Sequence, residues 1–248
     1  MPNASKESGG DCNQLRVTVI IPCHNHGDML PAAIQSVLDQ GYHPLNIVVV
    51  DDGSSDEPWR EKYNAHPNII WIINEQAKGP SAARNTAAKR MWEESDVFMM
   101  LDADDLYLPG KIQKSVDKFL TDPLTIGIVY SDAIIKNLNT GTEIHEFREP
   151  YDRARLEKEC IISNTPLVNK VALGKAGGYN EDMRTCEDWD LWLRITENYV
   201  AVHIPEPLHI YHVTGRNSTD VVPIEVWQEN WKRIHMGMQQ RKNDKLSD

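Results

Sequence analysis

Three carboxylates, Asp102, Asp104 and Asp105, fall within four positions directly after the apolar run Val97-Phe98-Met99-Met100-Leu101. Acids converging at that spacing repel one another, and a hard, oxygen-preferring cation such as Mg2+ or Mn2+ relieves the repulsion. The plainer alternative is an acidic turn that caps the following helix. A run of large apolar residues bounded by polar ones reads as a strand buried on both faces, which belongs to a parallel sheet covered by helices. The acids then stand at the strand's carboxyl end, where open α/β sheets bind their ligands.

Upstream runs end in the same way. Val17 to Ile21 is a β-branched strand that Pro22 should end, because proline cannot donate to a ladder, leaving Pro22-Cys23-His24-Asn25 as a loop. Ile47 to Val50 is a second strand, broken by the turn formers Asp51-Asp52-Gly53-Ser54-Ser55, and Ile69 to Ile73 is a third. Between them, Leu30, Ile34, Val37 and Leu38 recur at helical spacing over Asp28 to Gln40. Gly79-Pro80-Ser81 introduces an Ala-rich helix through about Glu94, and Pro109 opens another with Ile112, Val116, Phe119 and Leu120 on one face. Alternating strands and helices predict a right-handed, parallel α/β sheet. Its rim would gather Asn25, Asp52 and Asp102 to Asp105, joined by Lys78 and Arg84 from the third crossover.

Beyond Asp122 the pattern is less regular. Ile126 to Tyr130, Ala133 to Lys136, Pro166 to Val168, Val200 to Ile204 and Leu208 to Val213 read as separate short strands, the last two parted by Pro205 and Pro207. Cys186 to Asn198 reads as a helix carrying Trp189, Trp192, Leu193 and Thr196, whereas Glu143 to Ile161 shows no clear period. The tail from Pro223 places Trp227, Trp231, Ile234 and Met238 along one side of an amphipathic helix. Docking on its own domain is the expectation, with a membrane surface or a partner as the other readings.

The 248 residues suit one large α/β domain after a disordered lead-in over 1–15. A formal charge of −11 and the lack of any Lys/Arg cluster argue against a nucleic-acid binder. Cys12, Cys23, Cys160 and Cys186 form no Cys-x-x-Cys pair, which suggests reduced thiols and a cytoplasmic setting. The lead-in has no signal-peptide core and no run has bilayer length, so any membrane contact is expected to be peripheral. No Gly-x-Gly-x-x-Gly follows the first strand and no P-loop motif occurs, which weakens both of those readings.

Taken together, Pro22-x-x-Asn25, Val50-Asp51-Asp52-Gly53-Ser54, Gly79-Pro80-Ser81-Ala82-Ala83-Arg84-Asn85, Leu101-Asp102-Ala103-Asp104-Asp105 and Glu187-Asp188-Trp189-Asp190-Leu191-Trp192 resemble the family 2 inverting glycosyltransferases. The resemblance spans residues 16 to 215 and implies the α/β GT-A fold, a mostly parallel central sheet with helices on both faces. It implies a nucleotide-sugar-binding half over 16–122, an acceptor-binding half over 123–222 and the terminal helix and tail over 223–248. Pro22, His24 and Asn25 would lie against the base, with His24 where members often carry Tyr. The same pattern has Asp52 accepting the base's ring N–H, and Asp51 nearer the ribose or structural. Arg84 and Lys78 would face base and diphosphate, an exposed helix residue being the other reading of Arg84. Asp102 would meet ribose and metal, Ala103 and Glu187 would line the donor site, and Asp104 would ligate the Mn2+ or Mg2+ that bridges the diphosphate. His212 would reach the metal or be a satisfied core histidine, since members often carry that His where this chain has Thr214. Capping the next helix is the role expected of Asp105.

Asp188 resembles the general base that takes a proton from the attacking hydroxyl, with helix capping as its alternative. Repulsion from Glu187 and Asp190 against the pull of a helix N-terminus predicts no net shift of its pKa. Trp189 and Trp192 offer either a flat acceptor surface or core packing. Lacking the Gln-x-x-Arg-Trp of processive members, the chain is expected to make single transfers. The implied activity moves a sugar from a nucleotide-sugar donor, a UDP-sugar foremost, to a carbohydrate or glycolipid acceptor in polysaccharide or glycoconjugate synthesis. A nucleotidyltransferase would carry a Gly-rich loop with Arg and Lys after the first strand, and Pro22 to Asn25 lacks it. The remaining alternative is a catalytically silent nucleotide-sugar binder or scaffold, opposed by intact Asp104 and Asp188.

Overall fold

Among the residues that the computed structural model describes, 14–56 and 66–247, nine strands join one sheet in the order β3-β2-β1-β4-β8-β6-β9-β5, with β7 paired on β6. They are β1 (Val17–Cys23), β2 (Leu45–Asp52), β3 (Ile69–Asn74), β4 (Val97–Met100), β5 (Leu106–Tyr107), β6 (Ile126–Asn137), β7 (Glu143–Glu146), β8 (Leu167–Asn169) and β9 (Val200–Val213). The helices are α1 (Leu30–Leu38), α2 (Pro80–Arg90), α3 (Lys111–Leu120), α4 (Arg153–Leu156), α5 (Lys170–Lys175), α6 (Glu187–Ile195), α7 (Ser218–Val221) and α8 (Ile224–Ser247). Strands β1 to β4 are mutually parallel, β6 and β9 share their direction, and β8, β5 and β7 run against them. The sheet is mixed and mostly parallel. The lead-in expected over 1–15 falls, for 1–13, outside the described residues.

Both faces of the central strands β1, β2, β4 and β8 are buried, and strand alternation decides which residue serves which face. Val17, Val19, Ile21, Val97 and Met99 pack with Leu30, Ile34 and Val37 of α1 and Ile112, Val116 and Phe119 of α3. On the other face Ile20, Val48, Val50, Phe98 and Met100 meet Ala83 and Ala87 of α2, Trp192 of α6, and Ile234 and Met238 of α8. Leu120 departs from its expected place and lies 45 % exposed.

Three expectations fail for identifiable reasons. Pro22 does not end β1, which continues to Cys23 alongside Val50 and Asp51. Ile20 turns its carbonyl toward β4, where it accepts the Leu101 N–H, so Pro22 turns its nitrogen to the same side beyond the end of β4, where no ladder bond is lost. The two runs on either side of Ser131-Asp132 form one strand, β6, and those flanking Pro205 and Pro207 form one strand, β9. Register irregularities on either side of Asp132 absorb the break in pattern, and β5 covers β9 only at His209 and Ile210, past the prolines. The segment without a clear period holds β7 and the short α4, capped by Asp152, which accepts the Arg155 N–H.

Lys111, the first residue of α3, is fully buried. Its Nζ donates to Ser131 Oγ at 3.0 Å and lies 5.9 Å above the Tyr107 ring. Burial pulls its pKa from 10.5 down to about 7. The unfolded chain therefore holds more protons than the fold between those values, so stability should climb as pH rises from about 7 toward 10.5. Lys111→Met should be more stable than wild type by about 2 kcal/mol at neutral pH, and the gap should close as the pH is raised, as read from urea midpoints.

Candidate active site

The carboxyl ends of β1, β2 and β4, together with the start of α6, surround a cavity of about 800 Å³. Pro22, His24, Asp52, Lys78, Arg84, Asp102, Ala103, Asp104, Glu187 and Asp188 all line it. Arg84 stands at the junction. Only 6 % exposed, it donates Nη2–H to Asp102 Oδ1 at 2.7 Å and Nη1–H to Glu187 Oε1 at 2.9 Å. Its guanidinium lies 5.2 Å over the Tyr179 ring, and Asn85 holds that residue by accepting the Tyr179 N–H at 2.8 Å and donating to its carbonyl at 2.9 Å. Burial disfavours the charged form, yet Asp102 and Glu187 outweigh it and hold Arg84 above the usual guanidinium range. The reading of Arg84 as an exposed helix residue is thus wrong. Its Nη donors are committed to two carboxylates on different elements, Asp102 just after β4 and Glu187 at the start of α6.

The loop after β2 is fixed around Asp52. Its oxygens accept N–H bonds from Lys78 and Gly79 at 2.7–3.0 Å and from Asn74 Nδ2 at 2.8 Å, which leaves little free capacity for a base. Gly53 has φ 69°, and a Cβ there would stand 2.7 Å from the Ala77 nitrogen, so the close approach of the two loops requires glycine. Asp51 turns inward, accepting the Ser54 N–H at 3.0 Å, which fits its structural alternative. Asn25, at φ 54°, accepts the Ser55 N–H at 2.8 Å and hydrogen-bonds His24 Nε2 at 3.1 Å, while His24 Nδ1 meets the Asp52 carbonyl at 2.8 Å. Asn25 therefore sets the ring plane of His24, which is exposed at the cavity wall.

Across the cavity the three acids differ in setting. Asp102 Oδ2 accepts from Asn164 Nδ2 at 3.1 Å, and the same amide donates to Asp105 Oδ2 at 2.9 Å. Asp105 does not cap α3, whose first turn follows Gly110; it is fully buried and accepts the His212 N–H at 3.0 Å, tying β9 to the acidic loop. Burial and the neighbouring Asp104 push its pKa well up. Asp104 is raised as well, by burial first and Asp102 second. His212 is a satisfied core histidine, its Nδ1 2.5 Å from the Asp104 carbonyl. Among the described residues, no group of three or more His, Cys, Asp or Glu side chains could hold a metal alone. A hard cation still suits Asp104 and Asp102: their oxygens are the preferred donors, and mutual repulsion in a desolvated setting is what a divalent charge relieves. His26, which sequence reasoning passed over, brings Nε2 within 4.0 Å of Asp104 Oδ2. Asn164 was missed too, because it sits between Cys160 and the β8 run with no periodic neighbours to mark it.

Asp188 opens α6 just after Cys186, which holds the left-handed φ of 58° and turns the chain sharply into the helix. The carboxyl is half-buried, faces the cavity, and accepts the Trp189 N–H at 2.7 Å. Its pKa is pushed up to about 6 by burial and then by Glu187, against the pull of the Trp189 N–H and Arg84. The expectation of no net shift is overturned: desolvation, absent from a count of neighbouring charges, is the largest effect, and Asp190 is occupied with Arg194 at 2.7 Å. Trp192 is core, whereas Trp189 both packs in the core and lines the cavity.

A mixed sheet of this order with an acidic cavity at the ends of its parallel strands defines a GT-A glycosyltransferase fold. The family model for glycosyl transferase family 2 matches residues 18–176, and the chain belongs to that family. It is 26 % identical over 224 residues to chondroitin synthase of Escherichia coli, covering 88 % of this chain but 32 % of that protein. An uncharacterized glycosyltransferase of Haemophilus influenzae is 27 % identical over 199 residues, 77 % of this chain and 66 % of that protein. Among solved structures, S. aureus TarS in complex with UDP-GlcNAc superposes with a TM-score of 0.71 at 18 % identity, covering 84 % of this chain and 62 % of that one. The mannosyltransferase PcManGT from Pyrobaculum calidifontis, in complex with GDP-Man and Mn2+, gives 0.64 at 23 % identity, covering 83 % and 59 %.

Removing the Arg84 guanidinium leaves Asp102 and Glu187 facing each other in a buried setting. Arg84→Ala should lower unfolding free energy by about 3–5 kcal/mol, measured by urea denaturation, and Glu187→Gln by less, because Arg84 then keeps Asp102.

Proposed function

We propose that the protein is a metal-dependent, inverting glycosyltransferase that moves a sugar from a nucleoside-diphosphate sugar to a hydroxyl acceptor. The observation that carries the reading is the pairing of two unlike acid groups in one cavity: a cluster of repelling carboxylates at Asp102 and Asp104, and a separate carboxyl at Asp188 whose pKa is poised near 6. General bases work best when their pKa lies near the operating pH, since they must be ionised yet still able to take a proton. Asp188 removes the proton from the acceptor hydroxyl as that oxygen bonds to the anomeric carbon, and the bond from that carbon to the diphosphate oxygen breaks on the opposite side. Each transfer inverts the anomeric centre and releases the nucleoside diphosphate.

The donor's diphosphate lies toward Asp102 and Asp104, with Lys78, exposed at the cavity wall, free to meet it. Mn2+ or Mg2+ held by Asp104 and Asp102 would supply a positive charge for the departing diphosphate. The base is received by Pro22 and His24, with Asp52 holding the loop behind them through the Lys78, Gly79 and Asn74 donors, and Arg84 keeps the donor acids in fixed register with α6. Support for a UDP- or GDP-sugar comes from the ligands of the structural neighbours TarS and PcManGT, and for Mn2+ from the latter. UDP-sugars are the first choice of donor, and carbohydrate or glycolipid hydroxyls the acceptor class. No helix among the described residues is long and apolar enough to cross a membrane, so a lipid-linked acceptor would be met at the bilayer surface.

Two outcomes test this reading. A thermal-shift panel of UDP, GDP, dTDP and CDP with and without Mn2+ should single out one diphosphate whose stabilisation needs the metal and is lost in Asp104→Ala; no response to any nucleotide would remove its foundation. With that donor, kcat/KM should fall as pH drops through about 6, where Asp188 takes up its proton. Asp188→Asn should cost about 10²–10⁴ in kcat while leaving diphosphate affinity within about threefold of wild type, and a flat pH profile would count against Asp188.

A further inference from the structure

An aromatic ladder leads out of the cavity beside Asp188. Trp189 and Trp227 line the cavity wall. The His235 ring stands edge-on to Trp189 at 5.9 Å and stacks on Trp231 at 3.7 Å, and Trp231 is 47 % exposed. Trp227, Trp231 and His235 recur at four-residue spacing and so share one face of α8. The helix is anchored through other positions, since Ile234 and Met238 are buried in the core. Trp189 is fixed by its own bond, Nε1–H to the Leu156 carbonyl at 2.7 Å, and His235 by a 2.8 Å contact between Nδ1 and the Trp231 carbonyl. Trp189 and His235 are thus held in place before any ligand arrives, and His235 supports the Trp231 ring from one side.

We infer that this ladder binds a carbohydrate acceptor more than one sugar long, the terminal sugar lying against Trp227 and the small exposed edge of Trp189 beside Asp188, and the sugars behind it running out over Trp231. The inference rests on the glycosyltransferase reading and adds the acceptor class to it. A pyranose ring presents a flat face of C–H groups with hydroxyls around its edge, and an indole offers the matching flat apolar face without demanding a fixed hydrogen-bond pattern. An exposed aromatic patch continuous with a reaction cavity marks a ligand surface more readily than an isolated surface tryptophan does. The chain's net charge of −11 works against an anionic bilayer, but α8 itself carries Lys232, Arg233, Arg241, Lys242 and Lys245 against Glu225, Glu229 and Asp244, so vesicles form a separate arm of the test.

The test titrates the full chain with glucose and N-acetylglucosamine oligomers, β-1,4- and α-1,4-linked, from mono- to hexasaccharide, reading tryptophan fluorescence and calorimetric affinity. For at least one series, affinity should rise about tenfold from mono- to trisaccharide and then level off, as a ladder of fixed length requires. Trp231→Ala should remove about fivefold of that gain from the trisaccharide and leave the monosaccharide little changed, while Trp231→Phe, which keeps a flat ring, should retain most of it. Met236→Ala, exposed on the same helix but outside the ladder, is the control for general perturbation of α8. No oligosaccharide binding, affinity independent of length, or equal affinity in Trp231→Ala would overturn the inference. So would a fluorescence response to phosphatidylglycerol vesicles in place of sugars, which would make the face a membrane contact. Failure of the underlying glycosyltransferase reading is separately visible, as an absence of nucleoside-diphosphate binding by the wild type.

Discussion

One guanidinium sets the geometry on which the site depends. Arg84 is buried between Asp102, at the end of a parallel strand, and Glu187, at the start of α6, and its one charge is shared by both carboxylates. A single cation shared by two anions ties the acidic loop after β4 to the helix that carries Asp188. The separation of the two acid groups is therefore built into the fold and is not left to a ligand. Tyr179, held through its backbone by Asn85, lies beneath the guanidinium and restricts that bridge further.

That fixed separation matters because the proposed transfer needs opposite properties at its two ends. Where the leaving group departs, negative charge builds up and must be met by positive charge; where the acceptor attacks, a carboxylate must hold a proton for the length of a step. Asp102 and Asp104 repel each other and favour a cation, whereas Asp188 is raised by burial until it is only weakly acidic. The fold places these environments on either side of Arg84. Its seam is β8, which runs against both β4 and β6 and so joins the four parallel strands to the second half of the sheet in one continuous surface.

Much of this was legible in the sequence, and the losses have physical causes. Parallel strands buried on both faces leave unbroken apolar runs, so β1, β2 and β4 and the acids at their ends could be read directly, and the half-exposed edge strand β3 could be read from its β-branched run. β6 and β9 could not, because Ser131-Asp132 and Pro205-Glu206-Pro207 interrupt them. In the fold Asp132 is buried and satisfied by His203 at 2.7 Å and His145 at 3.2 Å, partners that no local pattern announces. Arg84, Asp102 and Asp188 were singled out by motif, but Asn164 and His26, which sit against the acids, belong to no motif. Counting nearby charges misjudged Asp188, since burial is a property of the assembled fold. Asp105 was expected to cap the next helix and His212 to be either a metal ligand or a core histidine; together they knit β9 to the acidic loop.

In the proposed transfer, Asp188 and the donor acids act from opposite sides of the anomeric carbon. Proton NMR of the sugar released by slow hydrolysis of the best-bound nucleotide sugar, recorded before mutarotation, tests it without knowledge of the acceptor. From an α-linked donor the account predicts that the β-anomer appears first. First appearance of the α-anomer would mean net retention, and would contradict a single displacement with Asp188 as base.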